Sequence, residues 1–208
     1  MSNKQVKEEL QHDILLDTFS RAQSFYDQNK TAVIGAVIAL VVLIGGSVGY
    51  YYYSTSQENT AQQLMADATQ AYLQSNYQEA LTGSETDFTV GFEQIINNYS
   101  MTDAANLARY YVAVCEYNLG NPQQALSYIE AYEIPEGIMG VGPISFNGVL
   151  LTDLGNHAEA AKMYIKAAVW DKNESTSPYN YLEAAKAYYD AGNQVEAQKL
   201  LGMLAVSQ

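Results

Sequence analysis

Between Thr31 and Tyr53 the chain runs for 23 residues without a charge, TAVIGAVIALVVLIGGSVGYYYY. On either side, apolar residues return every three or four positions, the period of a helix with one buried face. Before the run, Leu10, Ile14, Phe19, Ala22 and Phe25 keep this spacing and predict a helical lead-in within residues 1–30. After it, three segments share one frame, at 107–132, 144–170 and 179–204. Each reads as an apolar helical stretch, a Gly-Asn step, a polar pair and an Ala on a second helix. The steps are Gly120-Asn121, Gly155-Asn156 and Gly192-Asn193, and the alanines are Ala125, Ala160 and Ala197. Gly ends a helix in the left-handed conformation, Asn serves the turn and the next helix start, and Ala lets two helices approach closely. Ala68, Tyr72, Ser75 and Ala80 carry a divergent version of the frame, followed by a loop at 82–89 and a helix at 92–99, FEQIINNY. Residues 133–143 and 171–178 break the helical pattern with Gly, Pro and polar residues and read as loops, each a candidate contact loop.

As a helix, the uncharged run reaches about 35 Å, enough to cross a hydrocarbon core of about 30 Å. It is longer than the apolar core of a cleaved signal peptide, and Tyr50 to Tyr53 follow it where a cleavage site would need small residues. Tyrosine favours the membrane–water boundary, so the run reads as an uncleaved anchor. Lys4, Lys7, Arg21 and Lys30 lie before it, and the distal flank has no Lys or Arg until Arg109. The tail is therefore expected in the cytoplasm and the C-terminal part across the membrane, in the periplasm of a bacterium. Gly45 and Gly49 are four apart, as are Gly35 and Ala39. Small residues at this spacing are candidates for packing against another helix in lipid, although Gly is common in such helices anyway. The resulting division is a cytoplasmic tail at 1–30, a transmembrane helix at 31–53, a linker helix with a degenerate first helical pair at 54–106, and three repeats at 107–208.

From Ser54 onward there are 155 residues, enough for a core of its own, with 6 Lys or Arg against 18 Asp or Glu. That balance of −12 repels nucleic acid and anionic headgroups, so no nucleic-acid partner is expected. Cys115 is the one cysteine, so it has no internal disulfide partner. Its apolar and aromatic neighbours predict a buried structural thiol. His12 falls in the tail and His157 in a turn, on opposite sides of the anchor. No Cys pair, phosphate loop or Ser-His-Asp spacing is present, so no cofactor, metal site or enzymatic activity is expected.

The repeated frame resembles the tetratricopeptide repeat. In the middle copy Gly148, Gly155, Ala160, Tyr164 and Ala167 fall on the family's signature positions. In the last, Ala185, Tyr188, Gly192, Ala197, Leu201 and Leu204 do. The first full copy has Ala113, Gly120, Ala125 and Ile129, with Tyr132 where a small residue is usual. The family's Trp and closing Pro are missing. The resemblance implies an all-α fold: a single N-terminal transmembrane helix followed by a tetratricopeptide-like α-solenoid of helical hairpins. It also implies a concave groove for peptide segments, lined by the first helix of each pair. That frame places Tyr110, Val114, Tyr117 and Asn118 there, with Ser145, Val149, Thr152 and Asp153, and then Tyr179, Leu182, Lys186, Tyr189 and Asp190. The competing account is that several of these tyrosines pack between helices.

In layout, repeat type and length the whole chain is similar to the YfgM-like ancillary subunits of the SecYEG translocon. The resemblance implies a non-enzymatic helper in the bacterial inner membrane. It would act with a membrane-anchored periplasmic chaperone to receive unfolded exported polypeptides. The alternative is a structural scaffold for a cell-envelope assembly or division complex. The helix FEQIINNY followed by a repeat also resembles outer-membrane assembly lipoproteins, but the lipid-bearing Cys of that group is missing.

Overall fold

The computed structural model describes the backbone of residues 3–86 and 88–206, and the side chains of 16–86 and 88–205. Among the described residues the chain is helical apart from one small hairpin. The elements are α1 (Asn3–Gln28), α2 (Lys30–Leu73), α3 (Tyr77–Thr82), β1 (Gly83–Ser84), β2 (Thr89–Val90), α4 (Phe92–Asn98), α5 (Asp103–Asn118), α6 (Pro122–Glu130), α7 (Ile138–Asp153), α8 (His157–Trp170), α9 (Ser177–Asp190) and α10 (Gln194–Val206). The side chains of Lys4, Lys7, Leu10, His12 and Ile14 lie outside the described residues. Contacts divide the chain into two compact units, Met1–Ser54 and Thr55–Gln208, and α2 contributes to both.

In the first unit, α1 is a helix as its spacing predicts, with Leu16, Phe19 and Phe25 exposed. Arg21 pairs with Asp17 at 2.8 Å and Lys30 with Asp27 at 3.1 Å, exposed contacts that contribute little. The uncharged run lies in α2, the one described helix long and apolar enough to cross a membrane. Its Val, Leu and Ile side chains from Ile34 to Val48 are exposed within the chain. Such a continuous apolar surface is stable only when lipid or another helix covers it. A methyl group added at Gly45 or Gly49 would meet nothing, so neither glycine packs against another part of the protein.

The second unit is built from helices joined in sequence by tight turns. Three turns, at Gly120-Asn121, Gly155-Asn156 and Gly192-Asn193, have the glycine at φ 85°, 78° and 79°. In each, two amides reach back over the end of the preceding helix. Gly120 N–H donates to the Tyr117 carbonyl at 3.0 Å and Asn121 N–H to that of Glu116 at 2.9 Å. The same pair recurs at Gly155/Asn156 and at Gly192/Asn193. This left-handed C-cap satisfies carbonyls that a helix end leaves open. The Asn carbonyl then accepts from the alanine four residues on, Ala125, Ala160 or Ala197, and so opens the next helix.

The divergent pair follows the same rule without a glycine. Ser75 sits at φ 62°, its N–H donates to Tyr72 at 2.9 Å, and Asn76 N–H donates to Ala71 at 3.0 Å. Ala80 N–H then donates to the Asn76 carbonyl at 2.9 Å. The end of α2 and the short α3 thus form a fourth pair with identical turn chemistry.

Alanines line the seams: Ala105, Ala108, Ala113, Ala125, Ala160 and Ala161 are fully buried. One core cluster joins α2 to α5 through Ala61, Met65, Phe92, Ile95 and Val112, and a second joins α5 to α10 through Ile129, Leu150, Tyr164 and Leu200. The start of α5 is capped twice. Thr102 Oγ1 accepts from Ala105 N–H at 3.1 Å, and the Glu58 carboxylate of α2 accepts from Asp103 N–H at 2.7 Å and Ala104 N–H at 3.2 Å. A carboxylate on exposed N-terminal amides is favoured by hydrogen bonding and by the helix dipole together.

Two loop expectations are corrected. The stretch 82–89 contains a paired turn, with Gly83 opposite Val90 and Ser84 opposite Thr89. The expected loop at 133–143 ends early, because α7 begins at Ile138 and contains Pro143. Val141 and Ile144 are buried with Ala167, and this packing offsets the backbone hydrogen bond lost at the proline. Gly140 makes it sterically feasible: any side chain there would run into the Pro135 carbonyl and the Trp170 indole. The rest of that loop is pinned rather than free. Asn106 exchanges two 2.9 Å hydrogen bonds with the backbone of Glu133, and Trp170 Nε1 donates to the Pro135 carbonyl at 3.1 Å. The connector after α8 is likewise closed on itself, since Asn173 Oδ1 accepts from Ser175 and Thr176 N–H and Ser177 Oγ donates to the Ala168 carbonyl.

Candidate polypeptide-binding surface

Residues 110, 114, 117 and 118 fall on one face of α5 because of the helical period, and 145, 149, 152 and 153 do so on α7. The fold turns these two faces toward each other. Tyr117 Oη donates to Asp153 Oδ2 at 2.9 Å, and its ring meets Phe146 edge-on at 5.5 Å. Tyr110 contacts Phe146 at 6.3 Å, Tyr132 at 5.6 Å and Tyr111 at 6.2 Å. Val149 packs into the same cluster. Edge-on aromatic contacts of this kind add about 0.5–1.5 kcal/mol each beyond area burial. Tyr110, Tyr117 and Asp153 are therefore brought together, but largely to hold α5 against α7.

The electrostatics agree. The Tyr117 hydroxyl is pushed above its ordinary range, first by donating to Asp153 and then by burial. Burial raises Tyr110, with Tyr132 and Tyr111 adding to it. Two other expected lining residues fold back on their own helices: Asn118 Nδ2 donates to the Val114 carbonyl at 2.7 Å and Thr152 Oγ1 to the Gly148 carbonyl at 2.9 Å. Thr152 also meets the Tyr164 hydroxyl of α8.

The α9 residues are different. Tyr179, Leu182 and Tyr189 are exposed, and Lys186 pairs with Glu183 at 2.7 Å on the surface. Lys186 and Tyr189 line a groove of about 500 Å³ with Asp190, Gln194 and Leu201 of the last pair. Among the described residues no group of three His, Cys, Asp or Glu could hold a metal ion. Cys115 is buried and its thiol is pushed up to about 12, by burial and then by Glu116, so it is not a nucleophile at neutral pH.

Sequence reasoning missed Phe146, which joins Tyr110 to Tyr117, and Glu58, which caps α5. Phe146 follows Ser145 and carries a sequence signal as an aromatic in the apolar stretch. Glu58 carries none, because its partners are 45 and 46 residues away. No family model, curated protein or solved structure matches this chain.

Proposed function

We propose that the chain is a non-enzymatic, single-pass membrane protein whose exported part is a tetratricopeptide-like solenoid that acts by binding polypeptides. In this reading it is an ancillary component beside the SecYEG translocon of a bacterial inner membrane. It would pass unfolded exported chains to a membrane-anchored periplasmic chaperone. One observation carries the repeat reading: the same left-handed turn and Asn carbonyl contact occur four times, including at Ser75-Asn76, where no glycine marks them. The apolar stretch of α2 supports the anchor. Tethering at a surface raises local concentration, so weak contacts there can suffice.

The scaffold reading draws on the mutual engagement of Tyr117, Asp153 and Tyr110 across α5 and α7, which suits a rigid support better than an open receptor. Pull-down of the full chain in mild detergent, with crosslinking from exposed positions on α5 and α9, separates the two. Translocon subunits and many nascent exported proteins support the helper role, and one or two fixed partners support the scaffold. Recovery without any translocon subunit removes the translocon assignment.

A further inference from the structure

A second groove opens within the exported unit, between the end of α2 and α5. It holds about 660 Å³, and its lining includes Gln62, Gln70, Leu73 and Gln74 of α2 with Leu107 and Tyr111 of α5. None of the residues assigned to the concave face from the sequence lines it. Leu73 is 76% exposed and Leu107 43%, so two large aliphatic side chains stand uncovered at its rim. The back wall is preformed: the Tyr111 ring stacks on Phe92 at 5.0 Å and 8°, and Tyr72 meets it edge-on at 5.0 Å. A wall already fixed loses little freedom when a ligand docks. Gln70 and Gln74 each offer a donor and an acceptor, the pair a peptide main chain requires. Gln62 is tied to Glu58 at 2.8 Å, and that carboxylate lies on the amides of Asp103 and Ala104.

The lining itself carries no charge, but the stretch of chain that holds it is strongly acidic. Residues 55–161 contain 13 Asp or Glu against Arg109 alone, and the Arg109 guanidinium donates to the Ser100 carbonyl at 3.3 Å. Residues 162–208 contain five acids and five lysines. The whole −12 of the exported part therefore falls within residues 55–161, which hold this groove, and the α9–α10 groove lies in the neutral remainder. A net negative stretch that carries an apolar, amide-edged cleft favours a cationic partner and disfavours a second copy of the same stretch.

We infer that the α2–α5 groove docks a polypeptide segment whose apolar side chains are flanked by Lys or Arg. The inference rests on the reading of the exported part as a polypeptide receptor and names the segment chemistry and the place. Apolar side chains of the segment cover Leu73 and Leu107, its main chain meets the glutamine amides, and its flanking cations are drawn by the acidic stretch that holds the groove.

The test uses the full chain in neutral detergent micelles and fluorescein-labelled peptides of twelve residues read by fluorescence anisotropy, with empty micelles as the blank. One peptide alternates Leu with Lys, one alternates Leu with Glu, and one alternates Ser with Lys. The Leu–Lys peptide is expected to bind, with affinity falling as salt rises and dropping about tenfold in the Leu73→Gln/Leu107→Gln variant, the loss expected when central apolar contacts are removed. Both leucines are exposed, so that variant should melt as the parent does. Val195→Gln, exposed on α10 and lining neither groove, should leave binding unchanged. Equal binding by the Leu73→Gln/Leu107→Gln variant, with loss in Tyr189→Ala placing the peptide in the α9–α10 groove instead, overturns the site and leaves the receptor reading standing. Equal binding of the Leu–Glu or the Ser–Lys peptide overturns the chemistry of the segment. Self-association in sedimentation that the leucine changes abolish would make the occupant a second copy and also overturn it. Binding of none of the three peptides removes the receptor reading together with this one.

Discussion

Ser75 is the sharpest place to test the repeat, because the backbone there does what three glycines do elsewhere. At φ 62° its Cβ crowds the following carbonyl, a conformation that costs an L-residue about 1–2 kcal/mol. Ser75→Gly removes that strain but adds about 0.5–1 kcal/mol of unfolded-state freedom. The hydrogen bonds of the turn are main-chain only and survive the change. The net is a gain of about 0.5–1 kcal/mol, which for a unit of this size raises the midpoint by about 1–4 °C. Gly155→Ala is the matched converse. An added methyl there meets no other atom, so the whole effect is the left-handed φ of 78°, and a loss of about 0.5–1 kcal/mol follows. Thermal unfolding of the full chain in detergent, followed by far-UV circular dichroism, reads both. If Ser75→Gly lowers the midpoint while Gly155→Ala also lowers it, the first turn is not left-handed and the fourth pair is not built like the others.

Three further outcomes are expected. Glu58→Ala should lower stability by about 2 kcal/mol and Glu58→Gln by about 1, because the amide keeps one acceptor but loses the charge; hydrogen exchange at Asp103 and Ala104 should quicken in both, and unchanged exchange would dissociate Glu58 from the cap. Burial, then the neighbouring Glu116, hold the Glu93 carboxyl above its ordinary 4.5. Its ionised form thus disfavours the fold at neutral pH, so Glu93→Gln should stabilise at pH 7, and the gain should disappear below about pH 4.5, where the carboxyl is protonated in both states. The Cys115 thiol is raised from 9.0 to about 12, and Tyr72, Tyr110, Tyr117, Tyr128, Tyr132 and Tyr164 are raised above 10.0. In each case the unfolded state loses its proton first, so stability is whole below about pH 9 and falls as pH rises toward 12; a denaturant midpoint that stays level across that window would contradict the burial of these groups and the Tyr117–Asp153 bond.

What the sequence determined by itself was whatever one helix or one turn decides alone. The uncharged stretch from Thr31 to Tyr53 is a local property, and so is a helix over it. Gly-Asn steps name their own φ, which is why three turns were legible and the one at Ser75 was only suggested by the alanines around it. The helix at FEQIINNY was legible for the same reason. The start of α7 was not, because Pro143 and three glycines argue for a loop locally and only the burial of Val141 and Ile144 against α8 reverses that. Tertiary structure alone decided the site. Helical spacing can place Tyr110, Tyr117 and Asp153 on faces, but whether those faces look outward or at each other depends on how α5 and α7 pack. Their hydroxyl–carboxylate bond and the shared Phe146 tie α5 to α7 across that surface. The open, uncharged groove formed where exposed leucines of α2 and α5, more than thirty residues apart, line one cleft that no short spacing encodes.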